Sequence, residues 1–148
     1  MKPDYHMLCE RALRKLPHSY VPYSKFHVAA ALLCEDGTIY EGINIENAAY
    51  APTICAERAA VSQAVSNGHT KFRAIAIAGG RHASLFTDAY RTKLALPDFC
   101  PPCGVCRQVL REFGNPETFE IILAKSPDDY RVFLLKELLP MSFGPESL

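Results

Sequence analysis

Thr53-Ile54-Cys55-Ala56-Glu57-Arg58, running straight into Ala59-Ala60-Val61-Ser62-Gln63-Ala64-Val65, decides how this chain is read. A thiol stands two residues before a carboxylate, at the opening of a helix-forming run. That run stops at Asn67-Gly68, a common helix C-terminal signal. The first turn of a helix has unpaired backbone N–H groups and the positive end of the dipole, so it stabilises negative charge. A metal-bound thiolate at Cys55 and a carboxylate at Glu57 are groups that such an end favours.

A second stretch completes the pattern: Pro101-Pro102-Cys103-Gly104-Val105-Cys106-Arg107-Gln108-Val109-Leu110. Proline again precedes a helical run, as at helix starts. Cys103 and Cys106 are three apart and share a helix face. With Cys55 they make three sulfur ligands. A tetrahedral site with its fourth position open is a catalytic zinc site rather than a structural one. Glu57 then reads as the acid–base group beside the metal, not a ligand. Taken alone, it would be an acid stabilising the helix dipole.

Cys-Ala-Glu followed by Pro-Cys-x-x-Cys resembles the signature of the zinc-dependent cytidine deaminase family, in its three-cysteine form. The likeness extends to Pro22-Tyr23-Ser24-Lys25-Phe26, Asn44-Ile45-Glu46-Asn47-Ala48 and Glu137-Leu138-Leu139-Pro140-Met141-Ser142-Phe143-Gly144-Pro145, so it runs through nearly the whole chain. It implies a three-layer α/β/α fold around a mixed five-stranded sheet. It implies hydrolytic deamination of free cytidine and deoxycytidine to uridine and deoxyuridine, a pyrimidine salvage reaction, with one zinc per chain. The resemblance gives Glu57 the role of proton shuttle. It puts Phe26 in the pocket and Asn44 and Glu46 on the ribose hydroxyls. The Ala56 N–H and the Pro101 carbonyl become contacts to the pyrimidine oxygen 2 and exocyclic amine. Arg58, otherwise an exposed helix charge, becomes a donor to the thiolates. Phe143 becomes a ring lent by a neighbouring subunit of a homotetramer. On spacing alone, Asn44 and Glu46 are a solvated strand end, and Phe143 needs a burial partner that its own domain's core or another surface could supply. Pro101 stands where the family more often has Ser or Thr, which keeps the carbonyl but stiffens the approach. Val28-Ala29-Ala30-Ala31 and Ala51-Pro52-Thr53-Ile54 also depart from the common wording.

Zinc with three thiolates is over-neutralised, which makes a bound water less acidic. Backbone N–H groups at the two helix starts, bonding the sulfurs, and Arg58 are the two devices that can offset this.

Composition narrows the alternatives. At 148 residues the chain is long enough for one domain with a real core. Sixteen basic residues balance sixteen acidic ones, which argues against a nucleic-acid partner. A polynucleotide deaminase would want a basic groove and usually a His ligand. A blasticidin-type deaminase shares the three-cysteine wording, but Asn-x-Glu-Asn and the Phe-Gly-Pro tail favour nucleosides. A non-catalytic zinc domain would need a fourth ligand, for which Cys100 is the nearby candidate. No apolar run approaches membrane-spanning length, and the N-terminus carries Lys2, Asp4, Glu10 and Arg11 rather than a signal peptide. Six cysteines without a secretory signal read as metal ligands and free thiols, and the default compartment is the cytoplasm. Cys9 and Cys34 are small core residues. Cys100 is a free thiol near the site, despite the redox-like form of Cys100-Pro101-Pro102-Cys103.

In chain order, the periodicity predicts a helix over 4–16 capped by Asp4. A hairpin of Phe26–Leu33 and Thr38–Ile45 follows, turning at Glu35-Asp36-Gly37. Then come helix 55–67, strand 71–78, helix 103–113, and strands 119–124 and 131–135. Arg81–Phe99 has no single period and reads as an insertion: a surface loop with a helical turn at Asp88–Leu94 that could act as a lid or meet a neighbouring subunit.

Overall fold

A computed structural model describes residues 2–148. Asp4 caps the first helix, α1 (Tyr5–Lys15), its carboxylate accepting from the Met7 N–H at 3.0 Å. Leu8, Cys9, Ala12 and Leu13 form its buried face at helical spacing. Pro17 lies in the single 3-10 turn, Leu16–His18, that ends it.

β1 (Phe26–Cys34) and β2 (Ile39–Ile43) form the expected antiparallel hairpin. Gly37 takes φ 93° in its turn, a conformation open to glycine at little cost. α2 (Ala56–Ser66) follows, then β3 (Phe72–Arg81), which pairs antiparallel with β1. Two short helices, α3 (His82–Leu85) and α4 (Asp88–Lys93), lead to α5 (Gly104–Phe113). β4 (Glu120–Ala124) and β5 (Tyr130–Leu134) complete the sheet, and α6 (Leu135–Leu138) leads into the C-terminal segment.

The strand order is β2-β1-β3-β4-β5. β3 and β4 are parallel and the other neighbours antiparallel, so the sheet is mixed. A parallel pair needs a crossover across one sheet face. Here that crossover carries α5, and it lays α5 beside α2. Alternation along β1 serves both faces: Ala29 and Ala31 pack towards α1, Ala30 and Leu32 towards α2. α1, α3 and α4 form one outer layer, and α2, α5 and α6 form the other. Among the described residues no helix is long and apolar enough to cross a membrane.

Two segments differ from their sequence expectation. β2 stops at Ile43, leaving Asn44 and Glu46 beyond it, while Ile45 makes isolated bridges to Tyr20 and Ile54. The stretch 81–99 is not simply a surface loop. Its helical turn exists as α4, capped by the Thr87 side chain, but β3 continues to Arg81 and α3 precedes it. Leu85, Tyr90 and Leu96 are buried in the α1-side core, and the Tyr90 hydroxyl donates to the Leu13 carbonyl. That carbonyl is in the last turn of α1 and already accepts the Leu16 N–H, so the Tyr90 hydroxyl takes its second lone pair. Three buried side chains and one hydroxyl–carbonyl bond to α1 therefore draw the segment into the α1 layer.

α2 sits on the hairpin at Gly42. A methyl at this position would overlap the Ala56 carbonyl and come within 2.5 Å of the Ala60 nitrogen, both backbone atoms. Gly42→Ala is thus expected to cost at least the ~1–3 kcal/mol typical of overpacking, and to lower zinc content by displacing the start of α2. Urea unfolding and metal analysis of the variant check both outcomes.

Candidate active site

Cys55 is the N-cap of α2 and Cys103 the N-cap of α5, both with extended backbone. Each lies one residue ahead of the helical turn in which the spacing had placed it. Cys106 follows in the first turn of α5 and is fully buried. The crossover that brings α5 beside α2 therefore makes two helix starts converge. The three sulfurs lie within 4.8 Å of one another. Cys55 Sγ is 4.0 Å from Cys103 Sγ, which is 3.5 Å from Cys106 Sγ. A tetrahedral zinc with Zn–S near 2.3 Å requires sulfurs about 3.8 Å apart, so the donor set fits one zinc ion.

The electrostatics point the same way. A hydrogen bond from the Cys106 thiol holds Cys55 down at about 5, with Arg58 adding to the effect against burial. Cys106 is pushed up by that same bond, by burial and by Glu57. Three sulfurs this close cannot all be anions by themselves, and a divalent cation removes the conflict. Of the two devices expected to draw charge off the thiolates, one is present. Arg58 Nη2 approaches Cys55 Sγ at 3.6 Å, whereas neither N-cap sulfur accepts a capping hydrogen bond. Arg58 is turned inward, and its Nε is buried without a partner.

A cavity of about 230 Å³ opens beside the sulfurs. Cys55, Ala56, Glu57, Cys100, Pro101 and Cys103 line it together with Val28 and Asn44. Glu57 is only 4% exposed, and burial pushes its carboxyl upward. The Ala56 N–H belongs to the first residue of α2, where backbone donors lack helical partners.

Asn44 is no loose strand end. Its Oδ1 accepts from the Val28 N–H and its Nδ2 donates to the Phe26 carbonyl, both at 2.9 Å. One N–H of the amide remains free. Glu46 Oε1 accepts from the N–H groups of Tyr23 and Ser24, each at 3.0 Å. Burial alone would raise its carboxyl, but the donors from Ser24 and Tyr23 and the charge of Lys25 outweigh it and hold the group below the usual carboxylate value. Phe26, Glu46 and Phe143 do not line the cavity. Phe26 packs over Gly79, and Phe143 is 59% exposed on the C-terminal segment.

Sequence reasoning missed what Gly79 does. A methyl there would stand 2.6 Å from Cys100 Sγ and 3.1 Å from the Phe26 ring, so this glycine in β3 seats Cys100 in the cavity wall. A glycine inside a strand often marks such an approach, and Gly79-Gly80 was that signal.

Residues 2–121 match the family described as the cytidine and deoxycytidylate deaminase zinc-binding region. The chain is 40% identical over 145 residues to the cytidine deaminase of Sporosarcina psychrophila, covering 98% of this chain and 95% of that one. It superposes on the crystal structure of cytidine deaminase from Burkholderia pseudomallei with TM-score 0.77 and 38% identity, covering 93% of this chain and 98% of the other. For the crystal structure of the Mycobacterium tuberculosis cytidine deaminase, the values are 0.76 and 36%, with 97% and 99% covered.

Purified protein is expected to hold one zinc per chain by elemental analysis. Cys106→Ala should lose it, while Cys100→Ala should retain it. An empty site in Cys100→Ala, with metal kept in Cys106→Ala, would displace the ligand set.

Proposed function

Because the chain belongs to the cytidine deaminase family, we propose that its cavity takes the base of free cytidine and of deoxycytidine and that Glu57 is the proton shuttle of their hydrolytic deamination. Cytidine deamination, the salvage reaction of pyrimidine nucleosides, is the activity of this chain, and three cysteines hold its one zinc. The observation that carries the reading is a buried carboxylate in the wall of a cavity that opens on a three-sulfur donor set. Zinc, when bound, lowers the pKa of water from about 15.7 towards about 7 and so supplies a nucleophile at neutral pH.

Glu57 takes a proton from the attacking water and delivers it to ring nitrogen 3 as the new C–O bond forms at carbon 4. It then moves the proton of the added hydroxyl to the exocyclic nitrogen, the C–N bond breaks, and ammonia leaves. In each transfer Glu57 accepts a proton from oxygen and passes it to nitrogen, so one carboxylate serves both through a transient protonated form. Its burial favours that form, as a general acid working near neutral pH requires. Arg58 draws charge from Cys55. The Ala56 N–H and the Pro101 carbonyl, both at the cavity, suit oxygen 2 and the exocyclic amine. Asn44 and Glu46 hold the ribose hydroxyls, using the polar capacity their backbone bonds leave free.

The neutral net charge speaks against a polynucleotide substrate. The cavity on the open side of the sulfur cluster speaks against a closed structural site. Free rather than paired cysteines fit a reducing compartment, the cytoplasm. The enzyme works as a homotetramer in which Phe26 borders the pocket from within the chain and Phe143 enters it from a neighbour. Support for this is the outward exposure of Phe143 on a segment otherwise fastened to its own chain.

Glu57→Gln is expected to keep zinc and fold while ammonia release from cytidine falls ~10²–10⁴-fold or more. Near-normal turnover would reduce Glu57 to a helix-dipole acid. Refolding Glu57→Gln chains together with Phe143→Ala chains should restore part of the activity, because some sites then combine an intact Glu57 with a neighbour's intact Phe143. Mixed oligomers without that recovery would contradict the shared site.

A further inference from the structure

α5 begins at Cys103 and Cys106 and, from its later turns, grips the end of the chain. Arg107 Nε donates to the Pro102 carbonyl at 2.8 Å and its Nη1 to the Leu138 carbonyl at 2.7 Å. Gln108 Nε2 donates to the Phe143 carbonyl at 2.9 Å. Arg111 does most. Its Nε donates to Ser142 Oγ at 2.7 Å, and its Nη2 pairs with Glu146. Its guanidinium lies against Gly144, where a methyl would overlap its central carbon and both terminal nitrogens. The backbone of Gly144 is extended, so glycine is needed here for the contact and not for its dihedral angles.

Arg111 is 7% exposed, an uncommon place for a charge unless it is paired and hydrogen-bonded. Its partners are residues 142, 144 and 146, which bracket Phe143. Yet Phe143 turns outward and makes none of these contacts through its ring. A terminal segment held only for stability would bury its aromatic ring and leave the arginine in water, and an unheld segment would fray. Here the charge is inside and the ring outside.

We infer that Arg111 is a positioning residue for substrate binding: its clamp on Ser142, Gly144 and Glu146 sets the direction in which Phe143 is presented to the nucleoside base. The inference rests on the reading that Phe143 stacks on the base in a neighbouring chain. The planar fork of arginine fixes two partners at once and also offers a flat face to Gly144, which an ammonium cannot do. Because the clamp starts from the helix that carries two of the zinc ligands, α5 ties the ligand geometry of its own site to the ring it offers to another.

The test is a set of cytidine kinetics on zinc-loaded oligomers of wild type, Phe143→Ala, Arg111→Gln, Arg111→Lys, Glu146→Gln and the double variant Arg111→Gln/Phe143→Ala. Phe143→Ala should raise KM about 5- to 150-fold, the range given by loss of one base–aromatic stack. Arg111→Gln should raise KM ~3- to 10-fold or more, with kcat within about twofold, and should add nothing further to KM in the Phe143→Ala background. Arg111→Lys should recover only part of the loss. Glu146→Gln, at an exposed position, keeps the fold and should give a smaller rise of the same kind. It decides the matter if Arg111→Gln does not fold. Unchanged KM in Arg111→Gln, or in Glu146→Gln should that stand in for it, beside a raised KM in Phe143→Ala would overturn the clamp and leave the shared site intact. KM rises that simply add in the double variant would do the same. Unchanged KM in Phe143→Ala would overturn the shared site itself.

Discussion

Three cysteine sulfurs held within 4.8 Å of one another are a constraint before they are a site. As anions they repel, and as thiols they waste the helix starts that point at them. A divalent cation satisfies all three. The rest of the architecture follows from having to deliver two of these sulfurs on one helix and the third on another. A parallel pair of strands joined by a crossover returns α5 to the same sheet face as α2. The single parallel step between β3 and β4 is therefore the topological counterpart of the cysteine cluster.

Holding two helix starts in register also needs short distances between backbones. Gly42 lets α2 settle on β2, and Gly79 lets Cys100 and the Phe26 ring lie against β3. Asn44 then bridges the backbone of β1 from beyond the end of β2, and Glu46 gathers the N–H groups of Tyr23 and Ser24. Asn44, expected to contact the sugar alone, thus also fixes backbone in the cavity wall, and Glu46 fixes the loop before β1. Their structural and binding roles share one side chain, because an amide or carboxylate has more hydrogen-bonding capacity than one partner uses. Such economy is typical of sites whose polar groups must be fixed before the substrate arrives.

On the other face of the sheet, the stretch 81–99 shows how weakly local pattern speaks when apolar residues are sparse. Leu85, Tyr90 and Leu96 share no helical or strand period, yet each is buried against the α1 layer. The C-terminal segment presents the converse. Its residues carry few apolar side chains into the core, and it is held instead by Arg107, Gln108 and Arg111 reaching from α5.

The residues of one short stretch, Cys55 to Arg58, together with Pro102 to Cys106, determined by themselves the chemistry of the site: sulfur ligands at helix starts, one acid beside them and an open metal position. The three long helices, the hairpin and the succession of elements along the chain were equally legible, since apolar periodicity and Gly, Pro and Asp signals act over a few residues, whereas α3, α6 and the order of strands across the sheet were not. Only the tertiary structure decided that neither N-cap sulfur accepts a capping hydrogen bond from the backbone and that Arg58 turns inward to Cys55. It also decided that Asn44 and Glu46 first bind backbone, that 81–99 joins a core, and that Arg111 is buried while Phe143 is not. The reason is the range of the forces. Capping, turn geometry and amphipathic spacing are set by neighbours in sequence. The partners of Arg111, the seats of Gly42 and Gly79 and the side to which the Phe143 ring turns are set by atoms beyond the local segment, which meet only after the sheet is assembled.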